Sequence, residues 1–243
     1  MSHDAVDGDL NSTCDATSGS TFPIGVTTVT CSKTDAKGNT AIPETFTITV
    51  QDTTSPVIAS HSDVTAEATS SSGASVTYTS PNALDIVDGT NPATCSPLSG
   101  LTFSIGTTPV TCDYSDTSSN AATQTTFNII VQDTTKPTID NVVDIVTEAT
   151  SASGASVTIT PPMSHDIVDG DLASTCDKST GTFALGVTTV TCSKTDAATN
   201  VATPETFTIT VQDTTAPVVG FINVNPTSGI FTSSGFEISA PVS

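Results

Sequence analysis

Apolar and polar residues alternate one by one along several short segments of the chain. The clearest are residues 45–50, 126–131 and 206–211, in which Phe, Ile and Val occupy every second position. Residues 74–79 and 155–160 alternate in the same way. A period of two places one apolar face on a β-strand, whereas an amphipathic helix needs a period of about 3.6. The pattern therefore predicts an all-β chain of short strands.

The strand pattern recurs because the chain contains tandem copies of one unit. Residues 1–54 are nearly repeated at 163–215, and a more diverged copy lies between them. Gln51, Gln132 and Gln212 occupy one equivalent position, so the period is about 81 residues. Short strands at this spacing predict a β-sandwich of about seven strands in each unit. We therefore expect several small sandwiches in a row.

The segment Asp-Thr-Thr-x-Pro ends each copy and marks the boundaries between units. Its Pro keeps the preceding residue extended, which predicts short, stiff junctions and a linear rod of domains. Met1 is equivalent to Met163, so we expect the chain to begin inside a unit. The predicted domains are a partial unit without its first strands at 1–52, complete units at 53–133 and 134–213, and the first strands of a further unit or a donor segment at 214–243.

Two cysteines fall in each copy, separated by 17, 17 and 16 residues. An even count with regular spacing predicts one disulfide within each unit, and hence an oxidising compartment. A second interpretation keeps these cysteines reduced as structural residues. Zinc binding is disfavoured because the chain has no Cys-x-x-Cys pair and no His pair near the cysteines. The predicted disulfides join Cys14 to Cys31, Cys95 to Cys112, and Cys176 to Cys192.

The charge of the chain narrows the range of partners. The formal net charge is −20 at pH 7, with 25 acidic and 5 basic side chains. Binding to phosphate groups needs a basic surface, so nucleic acids and anionic membrane surfaces are excluded as partners. No apolar run approaches the roughly 20 residues of a membrane-spanning helix. The acidic composition instead favours cations.

Several short motifs together resemble the hyalin-repeat (HYR) family. Besides the Asp-Thr-Thr-x-Pro segments they are Glu-Ala-Thr at 67–69 and 148–150, Ser-Gly-Ala-Ser-Val at 72–76 and 153–157, Asp-Ile-Val-Asp-Gly at 85–89 and 166–170, and Thr-Asp-Ala-x-x-Asn at 34–39 and 195–200. The resemblance covers residues 1–217, with a departure at 113–120. It implies immunoglobulin-like sandwiches in an extracellular, often adhesive or matrix protein, and no enzyme activity.

Most aspartates fall at three positions that recur from copy to copy. In a sandwich, the loop between the second and third strands, the last hairpin and the incoming linker lie at one end, so we expect these carboxylates to converge at each junction. The preceding unit adds a Glu at the end of its first strand, Glu67 at the second junction and Glu148 at the third. The loop residues are Asp85, Asp88, Asp166 and Asp169, the hairpin residues are Asp116 and Asp196, and the linker residues are Asp52, Asp133 and Asp213.

These carboxylates predict structural Ca²⁺ at the junctions. Clustered carboxylates repel one another unless a cation compensates them, and Ca²⁺ takes about six to eight oxygen ligands. The layout parallels the design of cadherins, in which calcium locks consecutive domains together. Two other interpretations are open. Asp-Gly and Asp…Asn pairs are ordinary turn formers, and adaptation to high salt also gives acidic chains, although it does not place Asp at equivalent loops.

Other candidate sites are weaker. His3 and His165 lie beside the Asp loop, but the middle copy has Leu84 there, which favours a surface role. Asn11 begins an Asn-x-Thr sequon in a predicted loop and is a candidate glycosylation site, whose counterpart is Ala173. Once the cysteines are assigned to disulfides, no Ser/His/Asp or Cys/His arrangement suggests catalysis.

These features favour a structural role. The units would form part of an extracellular or cell-surface filament or stalk, with flanking repeats or copies of the same chain as partners. A second hypothesis is an adhesive or ligand-binding module, although the chain has only two Tyr and no Trp for a recognition surface. A third is an accessory region of a secreted enzyme.

The register of the repeats has two interpretations. Residues 214–243 of one copy complete the partial unit at 1–52 of another copy by edge pairing of strands, or the chain is an excerpt of a longer protein. The divergence of residues 218–243 from the repeat favours the excerpt.

Overall fold

The computed structural model describes residues 1–220 of the chain. The regular structure in these residues is β-sheet, and the chain is built from three tandem β-sandwich domains, as the sequence predicts. Within the same residues, no helix is long and apolar enough to cross a membrane. Most of the predicted segment 214–243 lies outside the described residues.

The chain divides into two compact units. The first contains residues 1–140, 163–174 and 193–203. The second contains residues 141–162, 175–192 and the residues from 204 on. The third repeat therefore contributes to both units.

The first repeat belongs to the first unit. Its strands are β1 (Ser2–Asp4), β2 (Gly8–Leu10), β3 (Thr13–Cys14), β4 (Gly25–Ser32) and β5 (Glu44–Val50). Strand β1 pairs with β2, so residues 1–10 form a hairpin of their own. Strand β4 lies between β3 and β5 in an antiparallel sheet.

The second repeat also lies in the first unit and contains nine strands. They are β6 (Val57–Ile58), β7 (Val64–Glu67), β8 (Ala74–Ser75), β9 (Asn82–Asp85), β10 (Gly89–Pro92), β11 (Thr94–Ser96), β12 (Thr102–Phe103), β13 (Gly106–Asp113) and β14 (Thr125–Gln132). One sheet has the order β10-β9-β6 and another has the order β11-β13-β14-β7. Strand β7 runs parallel to β14, and the short strands β8 and β12 pair with each other.

The third repeat has the same order of strands. They are β15 (Thr138–Ile139), β16 (Ile145–Glu148), β17 (Ala155–Val157), β18 (Met163–Asp166), β19 (Gly170–Ala173), β20 (Thr175–Cys176), β21 (Gly181–Phe183), β22 (Gly186–Ser193) and β23 (Glu205–Gln212). The sheet β15-β18-β19 belongs to the first unit. The sheet β16-β23-β22-β20 and the pair β17-β21 form the second unit.

The alternating pattern decides which side chains are buried. Val110 on β13 and Ile129 on β14 have no exposed surface, and Ile209 on β23 is equally buried in the second unit. Phe127 on β14 is 4% exposed, whereas the equivalent Phe46 on β5 is 52% exposed. Strand β14 pairs with both β13 and β7, while β5 has only β4 as a neighbour. The first repeat therefore covers its apolar face less completely than the second.

The three predicted disulfides are confirmed, and no cysteine is free. They join Cys14 to Cys31, Cys95 to Cys112, and Cys176 to Cys192. In the first two pairs the residues lie directly opposite each other on antiparallel strands. Closing a loop of about 17 residues stabilises a domain by roughly 3 kcal/mol in the chain-entropy view, which suits repeats with thin cores.

Two strands are shorter than their alternation predicts. The segment 74–79 contributes only β8 to a sheet, and 155–160 contributes only β17. Beyond β8, the main-chain N–H of Tyr78 donates to the hydroxyl of Ser99 at 2.8 Å instead of to a carbonyl of a neighbouring strand. A side chain thus replaces the main-chain partner, and the ladder ends.

The glycine of the Ser-Gly-Ala-Ser-Val motif has a conformational reason. Gly73 and Gly154 have φ angles of +104° and +106°. A Cβ on Gly73 would lie 1.9 Å from the carbonyl oxygen of Phe103, and one on Gly154 would lie 1.8 Å from that of Phe183. Only glycine fits such a turn, which leads into β8 and β17.

Candidate metal centre

Four predicted aspartates meet where the first linker enters the second repeat. Carboxylate oxygens from all four lie within 4.8 Å of one another. We call this group the first cluster, and its members are Asp52 of the linker, Asp85 at the end of β9, Asp88 in the following loop and Asp116 in the turn after β13.

Local hydrogen bonds hold each member of the first cluster in place. Asp85 Oδ1 accepts the main-chain N–H groups of Val87 and Asp88 at 2.7 and 3.0 Å, which fixes the loop. The two oxygens of Asp88 accept the N–H and the hydroxyl of Thr117 at 3.0 and 2.7 Å. The loop and the hairpin are therefore tied together through a carboxylate.

Asn120 ties the linker to the same hairpin. Its Nδ2 donates to Asp116 Oδ2 at 2.7 Å and to the main-chain carbonyl of Asp52 at 3.2 Å. Its own N–H donates to Asp116 Oδ1 at 2.7 Å. The Asp…Asn spacing therefore positions the incoming linker as well as closing a turn.

The second linker meets the third repeat in an equivalent arrangement. We call this group the second cluster, and its members are Asp133, Asp166 and Asp196, again with carboxylate oxygens within 4.8 Å of one another. Asn200 Nδ2 donates to Asp196 Oδ2 at 2.8 Å and to the carbonyl of Asp133 at 3.2 Å. The same design thus occurs twice within the first unit.

Each cluster holds two buried carboxylate oxygens that lack a hydrogen-bond partner. They are Oδ2 of Asp52 and Asp85 in the first cluster and Oδ2 of Asp133 and Asp166 in the second. Asp85 is only 4% exposed and Asp133 only 8%. Burying a carboxylate oxygen without a partner is costly, whereas a cation would compensate it.

Burial and mutual repulsion act differently on the two clusters. Burial raises the pKa of Asp133, and the neighbouring charges of Asp166 and Asp196 raise it further. In the first cluster, the N–H groups of Asp88 and Val87 lower the pKa of Asp85. A group of carboxylates whose repulsion raises a member's pKa favours a bound cation.

Asp169 is a predicted site residue that the structure does not bring into a cluster. It occupies the position equivalent to Asp88. Its Oδ2 accepts the N–H of Ala197 at 2.7 Å, and Ala197 has no hydroxyl to hold the second oxygen. Asp169 therefore fastens the loop to the hairpin, and the second cluster has three members.

Glu67 and Glu148 hold the linker that follows their own repeat. Glu67 Oε1 accepts the N–H of Thr134 at 2.7 Å and the hydroxyl of Thr135 at 3.0 Å, while its Oε2 accepts the hydroxyl of Thr134 at 2.8 Å. The N–H and hydroxyl of Thr134 lower the pKa of Glu67. Glu67 lies outside the second cluster, although its charge adds to the rise in the pKa of Asp133.

The third linker repeats this clamp in the second unit. Glu148 Oε1 accepts the N–H of Thr214 at 2.7 Å, and Asp213 Oδ1 accepts the N–H of Thr215 at 3.2 Å. The hydroxyl and N–H of Thr214 lower the pKa of Glu148. Within residues 1–220, neither acidic residue belongs to a group of three or more candidate ligands.

The role of the two linker threonines is absent from the sequence analysis. The available signal was their presence in every Asp-Thr-Thr-x-Pro segment, where Pro alone explains a stiff junction. The structure shows that they present two N–H groups and two hydroxyls to one glutamate in the second and third linkers.

The remaining candidates lie at the surface. Asn11 is exposed after β2, and its glycosylation stays a prediction. His3 Nδ1 lies 2.8 Å from Asp9 Oδ1. His165 lies between Asp171 and Asp140, with nitrogen–oxygen distances of 2.7 and 3.0 Å.

Comparison with known proteins gives relatives in sea urchins. The chain is 35% identical over 203 residues to hyalin of Strongylocentrotus purpuratus, which covers 81% of this chain and 17% of that protein. It is 35% identical over 215 residues to hyalin of Lytechinus variegatus, which covers 84% of this chain and 40% of that protein. The chain thus spans less than half the length of either relative.

Similar solved structures are cadherin fragments. Extracellular cadherin domains 1–4 of protocadherin gamma B7 match with 14% identity and a TM-score of 0.29, over 77% of this chain and 58% of that one. Domains EC1–2 of human protocadherin-24 match with 13% identity and a TM-score of 0.29, over 66% of this chain and 99% of that one. Scores this low support no statement about function.

The HYR domain family matches the chain three times in succession. The matched segments are residues 3–50, 51–131 and 132–211. Each segment contains one disulfide. The chain belongs to the HYR domain family, whose members are non-catalytic modules of the kind found in extracellular proteins.

Proposed function

We propose that this chain is a structural repeat region of an extracellular or cell-surface filament or stalk, stiffened by Ca²⁺ at its junctions. The observation that carries the proposal is the set of four buried carboxylate oxygens without a hydrogen-bond partner, two in each cluster. The domain boundaries after residues 52, 133 and 213 are part of the same proposal.

The chemistry of both clusters suits Ca²⁺. Every candidate ligand is a carboxylate oxygen, and Ca²⁺ accepts irregular sets of about six to eight oxygens, whereas Mg²⁺ demands near-octahedral geometry. Carboxylates supply three or four of these ligands, and water and main-chain carbonyls supply the rest. Sites in extracellular modules bind Ca²⁺ with a Kd of roughly 10⁻⁴ to 10⁻³ M, which suits a few exposed carboxylates.

The positions of the ligands explain how a cation would stiffen a junction. Asp133 belongs to the linker, while Asp166 and Asp196 belong to the loop and the hairpin of the following repeat. A cation bound by all three would fix the linker to the repeat that follows. Glu67 already fixes the same linker to the repeat that precedes it, through Thr134.

Flanking repeats of the same protein, or copies of this chain, are the partners in this proposal. The chain spans a fraction of each hyalin relative, so a longer array of repeats is consistent with the comparison. The disulfide in each repeat supports an extracellular or cell-surface location, since disulfides persist in oxidising compartments.

Calorimetric titration with Ca²⁺ and small-angle X-ray scattering with and without chelator test the proposal together. We expect two internal binding events and a narrower distribution of interdomain distances when Ca²⁺ is present. The double variant Asp85→Asn, Asp133→Asn should lose both events. Glu44→Gln, at an exposed position on β5, is the matched control for loss of a negative charge. Absence of binding at millimolar Ca²⁺, or scattering profiles that chelator does not change, would contradict the proposal.

A further inference from the structure

A cavity of about 350 Å³ lies beside the third linker, at one end of the second unit. Its lining is small or apolar, apart from one hydroxyl pair and one carboxylate. The lining residues are Ala149, Thr150, Ser151, Ala152, Leu185 and Asp213.

The second repeat has the equivalent surface, but there it is covered. Ala68 is equivalent to Ala149, and each donates its N–H at 2.8 Å to the carbonyl of the Gln that precedes the linker Asp. Ala68 is 2% exposed and belongs to the buried apolar cluster of the second repeat, whereas Ala149 is only partly buried. Something therefore covers the end of the second repeat that the lining of the cavity lacks.

Part of that cover comes from the Asp-Ile-Val-Asp-Gly loop of the third repeat. Val168 packs against the buried apolar cluster to which Ala68 belongs. Asp166, two residues earlier, meets Asp133 in the second cluster. The N–H of Ala68 is bonded to Gln132, directly before Asp133, so the apolar contact and the carboxylate contact lie side by side.

The exposure of the loop valine follows what precedes it in the chain. Val6, with five residues before it, is 90% exposed. Val87, which follows the first repeat, is 47% exposed, and Val168, which follows the second repeat, is partly buried. The loop valine is therefore buried where the end of a preceding repeat is available to receive it.

The loop around Val6 already has the docked conformation. Asp4 Oδ1 accepts the N–H of Val6 at 2.8 Å and that of Asp7 at 2.9 Å. Asp166 makes the equivalent two bonds, to Val168 and Asp169, at 2.8 and 2.9 Å. No rearrangement of this loop is needed before it docks.

The hairpin of the first repeat is preformed as well. Asn39 Nδ2 donates to Asp35 Oδ2 at 2.7 Å. In the third repeat the equivalent Asn200 makes this bond and also binds the linker carbonyl of Asp133. Asn39 therefore presents a donor in the position that receives a linker.

We infer that the Val6 loop of one copy docks into the Ala149–Leu185 cavity of a second copy, so that copies join head to tail. Val6 fills the apolar part of the cavity, and Asp213 of the second copy meets Asp4 and Asp35 of the first. Three carboxylates meet only with a cation between them, so the inference rests on the proposed Ca²⁺ function. A head-to-tail contact uses two different surfaces and extends into open chains unless the rotation closes a ring.

Sedimentation velocity of the full chain in Ca²⁺, up to about 1 mM protein, tests the docking. We expect the wild type to form a concentration-dependent series of oligomers. Val6→Gln and Leu185→Gln should each weaken the association about tenfold or more, because each puts a polar amide into the apolar contact. The controls Ala5→Gln and Val187→Gln change exposed neighbours of the same two surfaces and should assemble like the wild type.

Mixing the two variants tests the polarity of the contact. Val6→Gln keeps a working cavity and Leu185→Gln keeps a working loop, so an equimolar mixture should give dimers and nothing larger. A wild type that stays monomeric at every concentration overturns the inference, and so do variants that assemble like the wild type.

The calorimetric titration separates this inference from the proposed function. Two internal Ca²⁺ sites in a chain that stays monomeric overturn the docking and leave the proposed function standing. Absence of any Ca²⁺ site, together with a monomeric chain, overturns both.

Discussion

The first and second clusters have equivalent positions in consecutive repeats but differ by one carboxylate. Asp88 joins the first cluster, while the equivalent Asp169 stays outside the second. Thr117 holds both oxygens of Asp88, through its N–H and its hydroxyl, whereas Ala197 offers Asp169 only an N–H. The linker, loop and hairpin aspartates are therefore the common core of a junction, and the residue after the hairpin Asp decides whether a fourth carboxylate joins.

The largest effect is expected from removing a core carboxylate. Asp85→Ala and Asp166→Ala each remove a ligand with a buried, unpartnered oxygen. Each variant should therefore lose the binding of one Ca²⁺ and keep the other, which calorimetry detects as a fall from two binding events to one. If both events survive in both variants, the buried oxygens are not ligands. Glu44→Gln serves as the control for general loss of negative charge.

The fourth carboxylate is the sharpest difference between the clusters. Asp88→Ala should weaken Ca²⁺ binding at the first cluster by about tenfold, because affinity follows the number of charged ligands. Asp169→Ala should change binding at the second cluster much less.

The exchange of the residue after the hairpin Asp makes the same comparison without touching a carboxylate. Thr117→Ala should lower the affinity of the first cluster towards that of the second, and Ala197→Thr should do the reverse. Calorimetry in the Asp166→Ala and Asp85→Ala backgrounds isolates each site. Equal effects of Asp88→Ala and Asp169→Ala would show that the two junctions are alike.

The bond from the hairpin Asn to the linker is common to both junctions. Asn120→Ala and Asn200→Ala should each destabilise the chain by about 1 kcal/mol, because each leaves a linker carbonyl and a carboxylate oxygen without their donor. Thermal unfolding should show a midpoint about 2–4 °C lower in each case. Asn39→Ala should have a smaller effect, since Asn39 binds only the Asp35 carboxylate and its own turn. Equal shifts in all three variants would deny the linker bond any role.

The smallest expected effect comes from His165, which has Leu84 as its counterpart at the first junction. Hydrogen bonds to Asp171 and then to Asp140 raise the pKa of His165 above about 6.5, its usual value. The protonated form therefore adds stability that is fully present below pH 6.5 or so and is lost as pH rises through the raised pKa. The residue is exposed, so the effect is small. NMR titration of the imidazole, with His165→Leu as control, should show the rise, and an ordinary pKa would contradict it.

The sequence carries most of the fold because the signals are local. A period of two along 126–131 and 206–211 marks the central strands, and the spacing of the cysteines predicts their pairing. Convergence of the linker, loop and hairpin aspartates follows from the topology of a sandwich. These elements need no knowledge of side-chain contacts.

The finer parts of the site depend on contacts that the repeat pattern does not encode. Asp88 and Asp169 occupy the same motif, and their different positions follow a difference at Thr117 and Ala197 in another loop. The bonds of Glu67 to the linker threonines join residues 67 positions apart. Packing of Val168 against the preceding repeat is equally invisible in the motif, because Val6 has the same sequence context and stays exposed.

The most direct test is a crystal structure of the chain grown with Ca²⁺, with anomalous scattering used to locate the ions. We expect one ion in the first cluster and one in the second, each about 2.3–2.6 Å from its carboxylate oxygens, including Oδ2 of Asp85 and of Asp133. Clusters in which these oxygens bind only protons, water or protein groups at saturating Ca²⁺ would contradict a cation-stiffened junction.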